Sequence, residues 1–215
     1  MGPVTGRPVV ALDHLVYAVP DLSEGVEAVE AKLGVASEPG GRHMGLGTHN
    51  RLFGLTGGAY LEVVAPDPGQ PAPSRPRWFG LDELEEPRLV TWCVRAGDLG
   101  RAVEAVRDAG FDLGSPERGS RVRSDGSTLA WTFTDPWSHR AGGVIPFCID
   151  WGSGSHPSDS LPAECSCVDI RVEHPEPDAV ADALRALGLD TPVSTGHPPR
   201  VVARLQTPRG IVELS

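Results

Sequence analysis

Apolar residues along this chain fall into two rhythms, and the order of those rhythms is itself repeated. Residues 12–19 alternate as a strand, with Leu15, Tyr17 and Val19 on one face and His14 and Val16 on the other. A helix follows, opened by Asp21 with Glu24 as its capping box, striped by Leu22, Val26, Val29 and Leu33 and ended by Gly34. The plan recurs as a strand over 89–95, a cap at Asp98, a stripe of Leu99, Val103 and Val106, and a terminator at Gly110. It recurs again as a strand over 167–173, a stripe of Val180, Leu184 and Leu187, and Gly188. Equivalent positions in the three opening strands are His14, Thr91 and Asp169, spaced 77 and then 78 residues apart.

Strand-like runs separated by turn residues follow each helix: 50–55 and 59–65 around Thr56-Gly57-Gly58, 128–133 and 144–149, and 200–206 and 211–215 around Pro208-Arg209-Gly210. Segments 66–76 and 152–162 are rich in Pro, Gly and Ser and read as linkers, the second as the domain boundary. The pattern predicts an α+β fold of three βαβββ repeats. Their curved, mostly antiparallel sheets place helices outside and a concave pocket inside. Two repeats, over 11–66 and 88–151, form a first unit spanning 8–151, and 163–215 forms the third. If the apolar faces of the first and fourth strands pack on the helix, His14 and Glu62 look into the concavity.

Composition narrows the chemistry. A chain of 215 residues, 40% hydrophobic, buries a sizeable core, and a formal charge of −10 argues against nucleic-acid or membrane-surface partners. No run approaches a membrane span, and residues 1–7 lack a signal peptide's basic start and apolar stretch, so a cytoplasmic protein is expected. Cys93, Cys148, Cys165 and Cys167 sit in apolar segments without paired spacing and read as buried thiols. Lys32 is the only lysine, which disfavours Schiff-base chemistry. No phosphate-cradling glycine loop, nucleophile elbow or HExxH sequence is present.

Three stretches share a signature: Leu12-Asp13-His14-Leu15-Val16-Tyr17-Ala18-Val19-Pro20-Asp21-Leu22, Gly47-Thr48-His49-Asn50-Arg51, and Tyr60-Leu61-Glu62-Val63-Val64-Ala65-Pro66-Asp67. Together they resemble the glyoxalase-like branch of the vicinal-oxygen-chelate superfamily, closely over the first third of the chain and in plan beyond it. The resemblance implies βαβββ repeats with a divalent metal (Mn, Fe, Mg, Ni or Zn) held on the first and fourth strands of paired repeats. It places His14 and Glu62 at two ligand positions. The second repeat departs, offering Thr91 and, with 144–149 aligned on 60–65, Pro146. The third offers Asp169 and Glu213, which with His14 and Glu62 would suit a hard divalent ion.

Around these lie further candidates. His43, His49, Asn50 and Arg51 cluster near Gly45 and Gly47, where His49 could serve as third ligand or general base beside Glu62 as a catalytic carboxylate. Asn50, Arg51, Tyr60, Trp131 and Trp151 are candidate substrate contacts, with Trp137 a further apolar surface. His139, His156, His174 and His197 read as surface residues. Two functions compete: a divalent-metal-dependent lyase, isomerase or dioxygenase acting on a small oxygenated molecule, and a metal-free protein that sequesters a small molecule or antibiotic. Three repeats leave one without a mate, which a homodimer would supply.

Overall fold

The computed structural model describes residues 10–123, 125–138 and 140–215. The expected start of the first unit at residue 8 and the expected surface position of His139 lie outside them.

The first repeat comprises β1 (Val10–Ala18), α1 (Leu22–Leu33), β2 (Glu38–His43), β3 (Thr48–Leu55) and β4 (Ala59–Pro66). The second comprises β5 (Arg88–Ala96), α2 (Leu99–Asp108), β6 (Glu117–Arg123), β7 (Thr128–Phe133) and β8 (Phe147–Asp150). Both helices start at their predicted caps because the Asp21 and Asp98 carboxylates accept from the backbone N–H of Glu24 at 3.0 Å and of Arg101 at 2.9 Å. Each such cap adds about 1 kcal/mol. Each repeat pairs its first strand in parallel with its last, β1 with β4 and β5 with β8. The curved sheets close into one eight-stranded barrel around the expected pocket, sealed by antiparallel β1–β5 and β2–β6 contacts. Along β1–β5, His14 pairs with Cys93 and Val16 with Thr91. That reciprocity makes Thr91 the counterpart of His14, as the spacing of the repeats predicts.

β2 and β6 lie outside the strand-like runs that the sequence shows, yet they supply the second seam. A Cβ at Gly41 would stand 2.3 Å from the Val122 carbonyl oxygen, and one at Gly40 would stand 2.1 Å from Asn50 Oδ1. Gly41 is therefore what lets β6 approach, and Gly40 is what lets β3 lie close on the other side.

The third unit, β9 (Ser166–His174), α3 (Pro177–Ala186), β10 (Val193–Thr195), β11 (Arg200–Thr207) and β12 (Gly210–Leu214), keeps the expected order of elements but not the connectivity. Its sheet runs β10-β9-β11-β12, so the first strand pairs in parallel with β10 and not with the last strand. It is an open sheet and not a third copy of the barrel repeat.

Two apolar cores follow from strand alternation. Val16, Val64, Phe133 and Phe147 fill the barrel from its walls, and Trp78 enters from the connection between β4 and β5. Leu15, Leu61 and Val94 face outward and pack with Leu33, Val106, Leu184 and Leu205, so the third unit shares one core with the barrel. Full burial of each such leucine is worth roughly 1.5–3 kcal/mol. Cys93, Cys148 and Cys165 are buried free thiols, and burial pushes Cys148 up to about 12. Among the described residues no helix is long and apolar enough to cross a membrane.

Candidate active site

Alternation sends His14 of β1 and Tyr60 and Glu62 of β4 to the barrel interior, in parallel register that pairs His14 with Tyr60 and Val16 with Glu62. The His14 and Tyr60 rings stack with centroids 4.7 Å apart. Neighbours on a strand ordinarily point to opposite faces, but a bulge between Leu12 and His14 lets Asp13 turn beside His14. The Asp13 Oδ1 atom then lies 2.7 Å from His14 Nδ1, while Oδ2 accepts from Trp151 Nε1 at 2.9 Å and Arg95 Nε at 3.1 Å and meets His156 Nε2 at 3.1 Å. Burial alone raises the Asp13 pKa. The hydrogen bonds from His14 and His156 and their charges outweigh it and hold this carboxyl well below the usual range. Asp13 is thus a fixed anion that assigns the Nδ1 proton of His14 and turns Nε2 toward the cavity.

Opposite Nε2 stands Glu62, its Oε2 3.7 Å away. The other oxygen, Oε1, accepts from Asn50 Nδ2 at 2.5 Å. Asn50 is oriented in turn, since its Oδ1 accepts from the Gly41 N–H at 2.8 Å and from Arg121 Nη1 at 3.2 Å. His43 places Nε2 3.8 Å from Glu62 Oε1 and Nδ1 3.0 Å from Thr48 Oγ1. Burial, reinforced by the Arg121 charge, lowers its pKa to about 3, so it is neutral near pH 7. The rest of the lining is aromatic, including Trp78, Trp131, Phe133, Phe147 and Trp151. The cavity left between these groups measures ≈ 30 Å³, room for about two waters.

The candidates therefore separate. His14, Asn50, Tyr60, Glu62, Trp131 and Trp151 meet around one cavity. His49 and Arg51 do not, because Asn50 takes the inward phase of β3. His49 instead stands 4.0 Å from Asp67 Oδ1, and Arg51 bonds Ser37 Oγ at 3.0 Å. Asp169 and Glu213 lie on the four-stranded sheet, where they pair with Arg204 at 3.1 Å and Arg171 at 2.9 Å. Because that sheet has a different connectivity, no cup forms from repeats one and three. Gly45 and Gly47, with φ of 79° and 64°, shape the turn between β2 and β3 and do not line the cavity. The β5–β8 register pairs Cys93 with Phe147, which makes Phe147, one residue beyond Pro146, the counterpart of Glu62. His156 and His174, expected at the surface, are largely buried, and His174 Nδ1 accepts from the Glu176 N–H at 3.0 Å. Trp137 stacks beneath Arg75 outside the barrel cavity. Sequence reasoning gave no role to Asp13, Arg121, Trp78, Phe79 or Phe147. Asp13 is adjacent to His14, but only the bulge reveals the contact.

A family profile described as a glyoxalase-like domain matches residues 12–204. The chain belongs to this family. Among solved structures, a hypothetical protein from Staphylococcus aureus is similar over 95% of this chain and 84% of its own, with TM-score 0.63 and 14% identity. A methylmalonyl-CoA epimerase in complex with methylmalonyl-CoA and NH4+ is similar over 71% of this chain and all of its own, with TM-score 0.47 and 20% identity. The methylmalonyl-CoA epimerase from Mycobacterium tuberculosis is similar over 68% and 90%, with TM-score 0.42 and 21% identity. Comparison with curated proteins gives no match. The family match bears out the resemblance of the sequence to the glyoxalase-like branch of the vicinal-oxygen-chelate superfamily.

A fold of this kind implies a divalent metal, and the donors here fit one only in part. His14 Nε2 and Glu62 Oε2, 3.7 Å apart, could both reach one ion at ordinary bond lengths of about 2.0–2.2 Å. Their counterparts in the second repeat, Thr91 and Phe147, provide no imidazole or carboxylate; the Thr91 hydroxyl is donated to the Gly143 carbonyl at 2.9 Å. Asp13, His14 and Cys93 offer donor atoms mutually within 4.8 Å. Asp13 is already committed to four partners, however, and burial holds the Cys93 thiol protonated, so this trio does not offer three open donors.

Proposed function

We propose that the barrel is a proton-transfer site of the isomerase or lyase type, acting on a small oxygenated substrate without a tightly held metal. The observation that carries this reading is the His14–Glu62 pair. An imidazole with Nδ1 held by a buried anion presents Nε2 to the cavity, with a Glu62 carboxylate oxygen 3.7 Å away, so two groups able to carry a proton face one space. His14 would take a proton from a carbon beside a carbonyl, and Asp13 would stabilise the resulting imidazolium. Glu62, steered by Asn50, would return or relay the proton at Oε2. Arg121 is buried beside them with no hydrogen-bond partner for its Nε among the described residues, and it would face the anion that develops on the substrate oxygen. The ≈ 30 Å³ cavity requires an aromatic wall to move before substrate enters. Phe79, held at φ 59°, is the strained member of that wall.

The 3.7 Å span favours a second reading, in which a divalent ion sits between His14 and Glu62. When bound, it would polarise two adjacent substrate oxygens. Elemental analysis of protein purified without added metal or chelator separates the two, run beside the His14→Ala, Glu62→Ala double variant. Metal far below one equivalent in both supports the first reading. Near-stoichiometric metal in the native protein alone supports the second, and its identity would divide lyase or isomerase from dioxygenase chemistry. For the proton transfer itself, α-hydroxy carbonyl and ketoaldehyde compounds incubated in D2O should gain carbon-bound deuterium with native protein and not with His14→Gln. Exchange that survives in His14→Gln would sink the reading. Binding without exchange would leave a sequestering protein.

A further inference from the structure

A second cavity lies outside the barrel, between it and the third unit. It measures ≈ 690 Å³ and is lined by Arg77, Arg88, Arg140 and Arg200, with Glu86 the one carboxylate side chain among its lining residues. Phe79 borders both this cleft and the barrel cavity. Two of the arginines are already balanced: Arg77 pairs with Asp82, and Arg200 pairs with Glu173 at 3.1 Å. The other two are not. Arg88 is exposed and makes no side-chain hydrogen bond or ion pair among the described residues.

Arg140 is the decisive residue. Its side chain is 4% exposed, and its Nη1 donates to Thr91 Oγ1 and to the Ile145 carbonyl oxygen, both at 3.0 Å. Its Cζ lies 5.3 Å from the centre of the Phe147 ring, while Nε has no hydrogen-bond partner among the described residues. No carboxylate pairs with it, although Asp135 acts on it through space. Residues 1–9, Ser124 and His139 contain no Asp or Glu that could do so. Burial lowers its pKa to about 10, which leaves it charged near neutral pH. A structural role accounts for Nη1 alone. A buried cation without a counter-ion costs several kcal/mol, and a guanidinium fork at the wall of a cavity suits an oxyanion. A cleft of this volume lies within the range of small-ligand sites, about 300–1,000 Å³.

We propose that this cleft binds a small molecule bearing a phosphate or carboxylate group, whose oxyanion is the missing counter-ion of Arg140, with Arg88 and Arg200 closing over it. The site stands independently of the chemistry assigned to the barrel. Isothermal titration at constant ionic strength tests it, with inorganic pyrophosphate and a tricarboxylate, tricarballylate, as probes. The native protein should bind at least one saturably at one site, and the probe that binds distinguishes a phosphate ligand from a carboxylate one. An Arg88→Ala, Arg200→Ala double variant, altered only at exposed side chains, should weaken binding at least about tenfold. Arg204→Ala, altered on the third unit's sheet, should leave it unchanged. Arg140→Lys keeps the charge but loses the fork and should weaken it further; should that variant not fold, the double variant decides. No saturable binding of either probe up to about 10 mM, or equal affinity in the double variant, would overturn the proposal. Equal weakening by Arg204→Ala would mean general charge attraction and overturn it too.

Discussion

The two halves of the barrel share a backbone and differ in what they face inward. Repeat one presents His14 and Glu62, and at the reciprocal positions repeat two presents Thr91 and Phe147. Parallel pairing of first and last strands, and antiparallel pairing between the first strands, need only backbone groups and outward apolar faces, and both halves have these. Inward chemistry is under no such constraint. One half holds the His14–Glu62 pair and the other supplies an aromatic wall, so the asymmetry of the site is a property of a few side chains on a nearly symmetric frame.

The largest expected effect comes from removing the anion that sets the polar half. Asp13→Asn leaves Arg95, Trp151, His156 and His14 facing an uncharged amide. Urea unfolding should show a loss of roughly 3–5 kcal/mol, and a loss under 1 kcal/mol would mean that Asp13 is not the organising charge. Next comes erasing the difference between the halves. Thr91→His with Phe147→Glu restores two donors opposite His14 and Glu62 and should cost roughly 2–4 kcal/mol without metal. Melting temperature should then rise with added Zn²⁺ or Mn²⁺ by clearly more than in the native protein, as preferential binding to the folded state demands.

Acid should act next. The His43 pKa, about 3 in the folded protein against an ordinary 6.5, means that the unfolded chain takes up a proton the folded one refuses. Its contribution is complete above pH 6.5 and drains away as pH falls toward 3, at up to about 1.4 kcal/mol per pH unit. A His43→Gln variant should lose that slope between pH 6 and 4 in denaturation curves; an unchanged slope would assign the acid sensitivity elsewhere. The smallest effect should be the same in both halves. Asp21→Ala and Asp98→Ala should each cost about 1 kcal/mol, and a marked inequality in thermal melts would show that the frame is less symmetric than its register.

What could be read from the sequence divides along the same physical line. β1, α1, β5 and α2 announce themselves because each shows an apolar face to the outer core, and the two helices start at Asp caps. β2 and β6 do not, since closing a barrel asks for Gly40 and Gly41 where strand propensity asks for bulk, and Arg121 buries its charge inside. His14 and Glu62 followed from alternation. Of the expected cluster, His43 and Asn50 reach the cavity and His49 does not, because the inward phase of β3 belongs to Asn50, which the sequence alone does not set. Sequence alignment points to Pro146 where the register places Phe147, because one residue of register in a short strand changes which side chain faces in. Asp13 needed the bulge, and Asp169 and Glu213 were misplaced because element order does not dictate strand order.

The stretch after β8 looks like a tether, yet His156 within it reaches back to Asp13, and it lies so close to β3 that a Cβ on Gly54 would stand 2.2 Å from the Pro162 carbonyl oxygen. Backbone contact continues to Cys165, whose carbonyl accepts from the Thr56 N–H at 2.8 Å. Severing the chain at its most dispensable-looking point would therefore detune the barrel's histidine. Recombination that grafts a foreign C-terminal unit onto this barrel, in evolution or at the bench, has to keep residues 152–165 with the barrel and refill the core that Leu184 and Leu205 share with it.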